Sequence, residues 1–192
     1  MDDRLYRFLK LTAIVLTLAW VGWSLYDWLL AGRAPGLQDY AAANRAFDDG
    51  QYDEARRLYA RAWQRNPELV DALRGQARAL IQLGQLVPAI ELLDRAIERE
   101  PDFAGAWANR GIAKDRLGRY REALADYERA MALDERVAEG PGWLTRFLRG
   151  QSERPPTIAD RARYLRAQLA LPPEQRVLRV PALDAAQRPY RK

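Results

Sequence analysis

Three copies of one residue pattern recur 34 residues apart, and that period constrains the fold more than any other feature of the chain. Gly50, Gly84 and Gly118 stand at this interval, as do Ala55, Ala89 and Ala123, and again Ala62, Ala96 and Ala130. Tyr52, Leu86 and Tyr120 keep another phase, and Tyr59, Leu93 and Tyr127 a further one. Pro67 and Pro101 close the first two copies, and Glu135 takes that place in the third. A fixed period of this length marks stacked helix pairs, because one pair cannot bury its apolar face alone and needs its neighbours to cover it. Such arrays mostly hold other proteins, so the sequence asks which partner is bound before it asks which reaction is run.

Each recurring position has a physical reason. Two helices approach closely only where a side chain is small, which fits Ala43, Ala77 and Gly111. The turn glycines follow helix ends, where a positive φ costs glycine little. A closing proline cannot continue a helix. Pro88 falls in a first turn, where no backbone donor is missed. The pattern predicts helices over 37–48, 52–66, 71–83, 86–99, 105–117 and 120–133.

Residues 36–137 resemble three tetratricopeptide repeats, 36–69, 70–103 and 104–137. The family's small contact residue falls on Ala43, Ala77 and Gly111, its turn glycine on Gly50, Gly84 and Gly118, and its bulky second-helix residue on Tyr59, Leu93 and Tyr127. Its early aromatic appears only as Trp107, with Leu73 and Asp39 in the other copies, and its usual leucine is replaced by Ala42, Gln76 and Arg110. The resemblance implies an all-α, right-handed helical solenoid whose first helices line a concave, partner-binding face. The lining positions it implies are Tyr40, Asn44 and Phe47, then Arg74, Arg78 and Ile81, then Ala108, Ile112 and Asp115. An extended peptide or helix would lie there, with aromatic contacts and arginine pairing to a carboxylate. Arg74 and Arg78, four residues apart on one helix, are the expected polar anchors. A family variant grips chaperone tails with lysines and asparagines. Asn44 matches one such position, but Tyr40, Gly75, Gly105 and Asn109 do not supply the rest, which argues against that mode.

The composition removes most chemistry. The chain has neither cysteine nor histidine, so thiol nucleophiles, histidine bases and the common zinc ligands are excluded, and no glycine-rich phosphate loop is present. No catalytic residues, metal, cofactor or small-molecule substrate are expected. Residues 32–135 carry 16 basic and 18 acidic side chains, whereas 136–192 carry 12 and 5. The basic residues of that tail are scattered and match no reading motif, so nucleic acid is not an expected partner.

Residues 11–30, LTAIVLTLAWVGWSLYDWLL, have one charge, Asp27. About 20 helical residues span roughly 30 Å, the thickness of a hydrocarbon core. Trp20, Trp23, Tyr26 and Trp28 gather at one end, as interfacial aromatics do. Residues 1–10 would be a cytoplasmic flank carrying Arg4, Arg7 and Lys10, against Arg33 and Arg45 beyond the span, which favours an external domain, periplasmic in a Gram-negative host. The small-x-small site at Gly32-Arg33-Ala34 precedes Pro35 and suits cleavage poorly, so an uncleaved single-pass anchor is expected, followed by a hinge over 31–35.

Residues 138–171 are expected to cap the array. Trp143 and Phe147 lie on a short helix over 143–149, either as cap or as a secondary binding surface. Thr157 and Asp160 form an N-terminal capping signature for a helix over 158–170, striped by Ile158, Ala162, Leu165 and Leu169. Residues 172–192 form a basic, proline-interrupted extended tail that either packs along the array or reaches for a partner. The expected function is a membrane-anchored protein-binding scaffold, an assembly or accessory factor for a membrane or exported complex. The alternative is a stoichiometric structural subunit of such a complex.

Overall fold

The computed structural model describes residues 3–31, 35–139, 156–181 and 189–190. Among them the regular structure is wholly helical. The long apolar helix α1 (Asp3–Ala31) comes first. Three antiparallel pairs follow: α2 (Leu37–Asp48) with α3 (Tyr52–Arg65), α4 (Val70–Gln82) with α5 (Leu86–Arg99), and α6 (Ala104–Arg116) with α7 (Tyr120–Leu133). A 3-10 turn (Glu135–Ala138) and helix α8 (Ile158–Ala170) complete the fold. The periodic pattern places all six repeat helices within one residue of their observed ends. Expected and observed bounds agree in full at 158–170.

Glycine ends the first helix of every pair. Gly50, Gly84 and Gly118 have φ of 76°, 73° and 79°, and each donates its N–H back into the preceding helix. Pro88 lies in the first turn of α5, where its missing N–H is not called on.

Helix contacts follow the small residues. Ala43, Ala55, Ala62, Ala77, Ala89, Ala96, Ala123 and Ala130 have no exposed surface. Gly111 faces Tyr127; a Cβ there would stand 2.7 Å from the ring. Gly75 faces Tyr59 of the preceding repeat in the same way, a close approach that the periodic pattern does not announce. The position of the family's early aromatic is filled three ways. Leu73 is buried, Asp39 is clasped by Arg65 at 2.7 Å, and the Trp107 indole donates to the carbonyl of Pro101 at 2.8 Å.

Helix α8 covers the open face of α7. Ile158, Ala162 and Leu165 join the main core, and a full capping box starts the helix, with Thr157 Oγ1 accepting from the N–H of Asp160 while the Asp160 carboxylate accepts from the N–H of Thr157. Of the described residues beyond α8, Val177 and Leu178 are tied to α8, and Tyr190 to α6. Tyr164 donates to the carbonyl of Val177 at 2.6 Å, and Arg161 to that of Leu178 at 3.0 Å. Leu178 and Tyr190 lie against the core cluster. Trp143 and Phe147 lie outside the described residues. Helix α1 holds an apolar stretch, Tyr6–Tyr26, of 21 residues with mean hydropathy 1.7, and its side chains there are exposed.

Candidate binding groove

The first helix of each pair turns one side toward a shared concavity of about 830 Å³. Its walls are Tyr40 and Asn44 from α2, Asp71 and Arg78 from α4, residues 102–105 at the start of α6, Leu133, Asp134 and Arg136 beside the 3-10 turn, and Tyr190.

The expected lining residues divide into two groups. Tyr40 and Asn44 are half-buried walls, and Arg78 lines the same space. Phe47, half-buried, lies under the Arg78 guanidinium at 4.8 Å from its ring centroid. Ile81, Ala108 and Ile112 instead sit in the interior, 0–1% exposed, because they join the continuous core into which α8 packs. Asp115 is also interior, since Arg161 of α8 meets both its carboxylate oxygens at 2.7 Å. These four are corrected from lining to packing positions.

Arg74 is corrected as an anchor too. Its guanidinium donates to Glu100 at 2.5 Å and to Asp71 at 2.6 Å, and stacks 3.8 Å from the Phe103 ring centroid. Burial works against its charge, but the hydrogen bonds to Glu100 and Asp71 outweigh burial and hold it above its ordinary pKa. It joins α4 to the end of α5 and has little left to offer a partner.

Arg78 differs. It is 5% exposed, and its hydrogen bond is from Nη2 to the phenol oxygen of Tyr59, at 3.2 Å. That phenol donates in turn to Asn44 Oδ1 at 2.7 Å. Among the described residues no carboxylate lies within ion-pair distance of Arg78. Two of the acids lining the concavity already have arginines, Asp71 with Arg74 and Asp134 with Arg136, leaving Asp102 at the rim. An arginine so buried presents a positive charge and its remaining donors to whatever enters.

Asn109, which the sequence does not single out for the groove, lies behind its wall and holds Tyr190, which lines it. It is 2% exposed; its Oδ1 accepts from the N–H of Tyr190 at 2.5 Å and its Nδ2 donates to the carbonyl of Tyr190 at 2.8 Å. Its phase is shared by Ala41 and Gly75, so a polar side chain appears there only in the third copy. Burial, with the Asp134 carboxylate nearby, pushes the Tyr190 phenol above its ordinary pKa. Among the described residues, no cluster of acidic side chains is arranged to hold a metal ion.

Models of tetratricopeptide repeats match residues 46–109 and 104–136. The SGT1 homolog of Oryza sativa is 31% identical over 112 residues, 58% of this chain and 29% of that protein. Hsp70-Hsp90 organizing protein 3 of Arabidopsis thaliana is 27% identical over 96 residues, 50% of this chain and 17% of that one. The chain thus spans less than a third of the length of these curated relatives. The first such domain of Spaghetti (RPAP3), solved with the HSP90 peptide SRMEEVD, superposes with a TM-score of 0.57 at 22% identity, covering 71% of this chain and 94% of that one. That likeness shows the shared fold.

Proposed function

Because the chain belongs to the tetratricopeptide-repeat family, we propose that it is a membrane-anchored adaptor whose concave face binds a carboxylate-bearing peptide, with Arg78 as the polar anchor. The observation that carries this reading is a buried arginine that lines the groove and, among the described residues, has no carboxylate partner. Tyr40 and Phe47 flank it with rings, and Asn44 stands beside it with an amide. A peptide carboxylate entering there would supply charge-assisted hydrogen bonds in a partly desolvated site. A relative that holds the acidic peptide SRMEEVD is consistent with a ligand of this class. The sequence here does not reproduce the lysine and asparagine set of the chaperone-tail binders, so a different acidic sequence is expected to fit best.

The anchor is the second half of the proposal. Helix α1 is long and apolar enough to cross a bilayer, and Trp20, Trp23, Tyr26 and Trp28 stand toward one end of it. Basic residues before the span outnumber those just after it, which supports an external side for the repeats and a role as an assembly or accessory factor beside the membrane. Protease added to sealed, right-side-out vesicles then digests the repeats; full protection until lysis reverses the topology.

Binding is tested with the full chain in detergent against an array of seven-residue acidic peptides and their amide counterparts. The acidic peptides should bind, the amides should not, and Arg78→Met should weaken the best ligand at least tenfold. Equal affinity for acid and amide, or no change in Arg78→Met, removes Arg78 as the anchor.

A further inference from the structure

We propose that Pro189–Tyr190 occupies one side of the groove, held through the Tyr190 main chain by Asn109, and that a peptide ligand filling the groove has to displace it. The displacement half rests on the groove reading above; the occupancy half does not.

The contact is one of recognition more than of packing. A side-chain amide offers one acceptor and two donors, and Asn109 uses one of each on a single residue, at 2.5 Å and 2.8 Å. Both bonds go to the N–H and C=O of Tyr190, which every residue except proline carries. The pair therefore reads extended backbone and leaves the side chain unspecified, which is how a groove engages a peptide. Asn109 reaches 81 positions along the chain to do so. The corresponding phase positions, Ala41 and Gly75, have no side-chain amide, so at this phase the third repeat alone carries one. Tyr190 also lines the same concavity as Arg78, Tyr40 and Asn44. A tethered segment competes at an effective concentration of the order of millimolar, enough to exclude weak ligands while yielding to strong ones. The groove thus carries a threshold: a partner has to exceed the affinity of the chain for itself.

Occupancy is measured first, with no added peptide. Tyr190 is replaced by photoreactive p-benzoylphenylalanine in the purified full chain, and adducts are mapped by mass spectrometry. Intramolecular adducts to residues 103–110 and 133–136 are expected, falling at least threefold in both Asn109→Ala and Asn109→Asp. The second variant keeps the size and an acceptor but loses the donor, and circular dichroism checks that both remain helical. Absent adducts, or equal yields in folded variants, overturn occupancy whatever the fate of the acidic-peptide reading. Displacement is measured next, with the best acidic heptapeptide of the array. A chain ending at residue 181 should bind it at least tenfold more tightly than the full chain, and saturating peptide should abolish the adducts. Equal affinities, or adducts that persist at saturation, overturn competition.

Discussion

The two ends of the repeat array are built around the same tyrosine position and finish it differently. At the third repeat, the phenol of Tyr127 donates to Asp115, whose two carboxylate oxygens also accept from Arg161 of α8. Acid and base are both about 97% buried, and the charge is balanced within the chain. At the first repeat, Tyr59 donates to Asn44 and accepts from Arg78, and among the described residues no carboxylate pairs with Arg78. One end is a closed structural joint and the other has a positive charge facing a cavity. The lesson is that a buried charged group reports function by what it lacks: a matched pair explains itself through folding, and an unmatched one points outward.

Substitutions at the two ends should separate joint from site. The largest effect is expected from Arg161→Ala, which leaves Asp115 buried without its cation. Stability should fall by about 3–5 kcal/mol, read by urea unfolding followed by circular dichroism. A loss below about 1 kcal/mol would make the closed end no more structural than the open one. The double variant Arg161→Met with Asp115→Leu removes both charges and should recover much of that loss.

An intermediate effect is expected where the repeats touch. Ala77→Leu overfills a position with no exposed surface, and Gly75→Ala drives a methyl group into the Tyr59 ring. Each should cost about 1–3 kcal/mol. Unchanged midpoints would mean that the pairs tolerate separation, and that the Tyr59 cluster is not held in place by packing.

The smallest effect on stability belongs to Arg78→Met. The substitution removes a buried charge without stranding an acid, so unfolding should shift by no more than about 1 kcal/mol, in either direction. Binding of acidic peptides should collapse in the same protein. A stability loss as large as that of Arg161→Ala would erase the contrast between the ends and reclassify Arg78 as structural.

Much of this architecture is legible in the sequence because it is local. Helix ends follow from glycine and proline chemistry within a few residues, and the capping box needs only Thr157 and Asp160. The 34-residue phase then stacks the pairs without further information. The groove is less legible because solvent access is decided between elements. Arg74 looks like an anchor until Glu100, 26 positions later, is brought against it. Asp115 shares its phase with Phe47 and Ile81, and an acid on such a phase is a signal that a distant cation must be found; Arg161 supplies it. Asn109 does not stand out in the sequence, because it does not fit the chaperone-tail pattern and its partner lies in a proline-interrupted stretch that periodicity cannot place.

The ties made by Arg161 and Asn109 also bear on how the molecule comes apart. A stack of repeats in contact only with their neighbours can fray from either end, one unit at a time. Here the third repeat is fastened to residues 46 and 81 positions further along the chain, by Asp115–Arg161 and Asn109–Tyr190. Unfolding it requires releasing α8 and, in the unliganded chain, the Tyr190 contact as well, while α2 and α3 can loosen alone. Amide exchange should therefore run in a gradient, fastest in α2 and slowest in α6 and α7. The rings of Tyr40 and Phe47 sit on the element that opens first, so the edge of the groove nearest Arg78 is also the part of the array most able to reshape around what it receives.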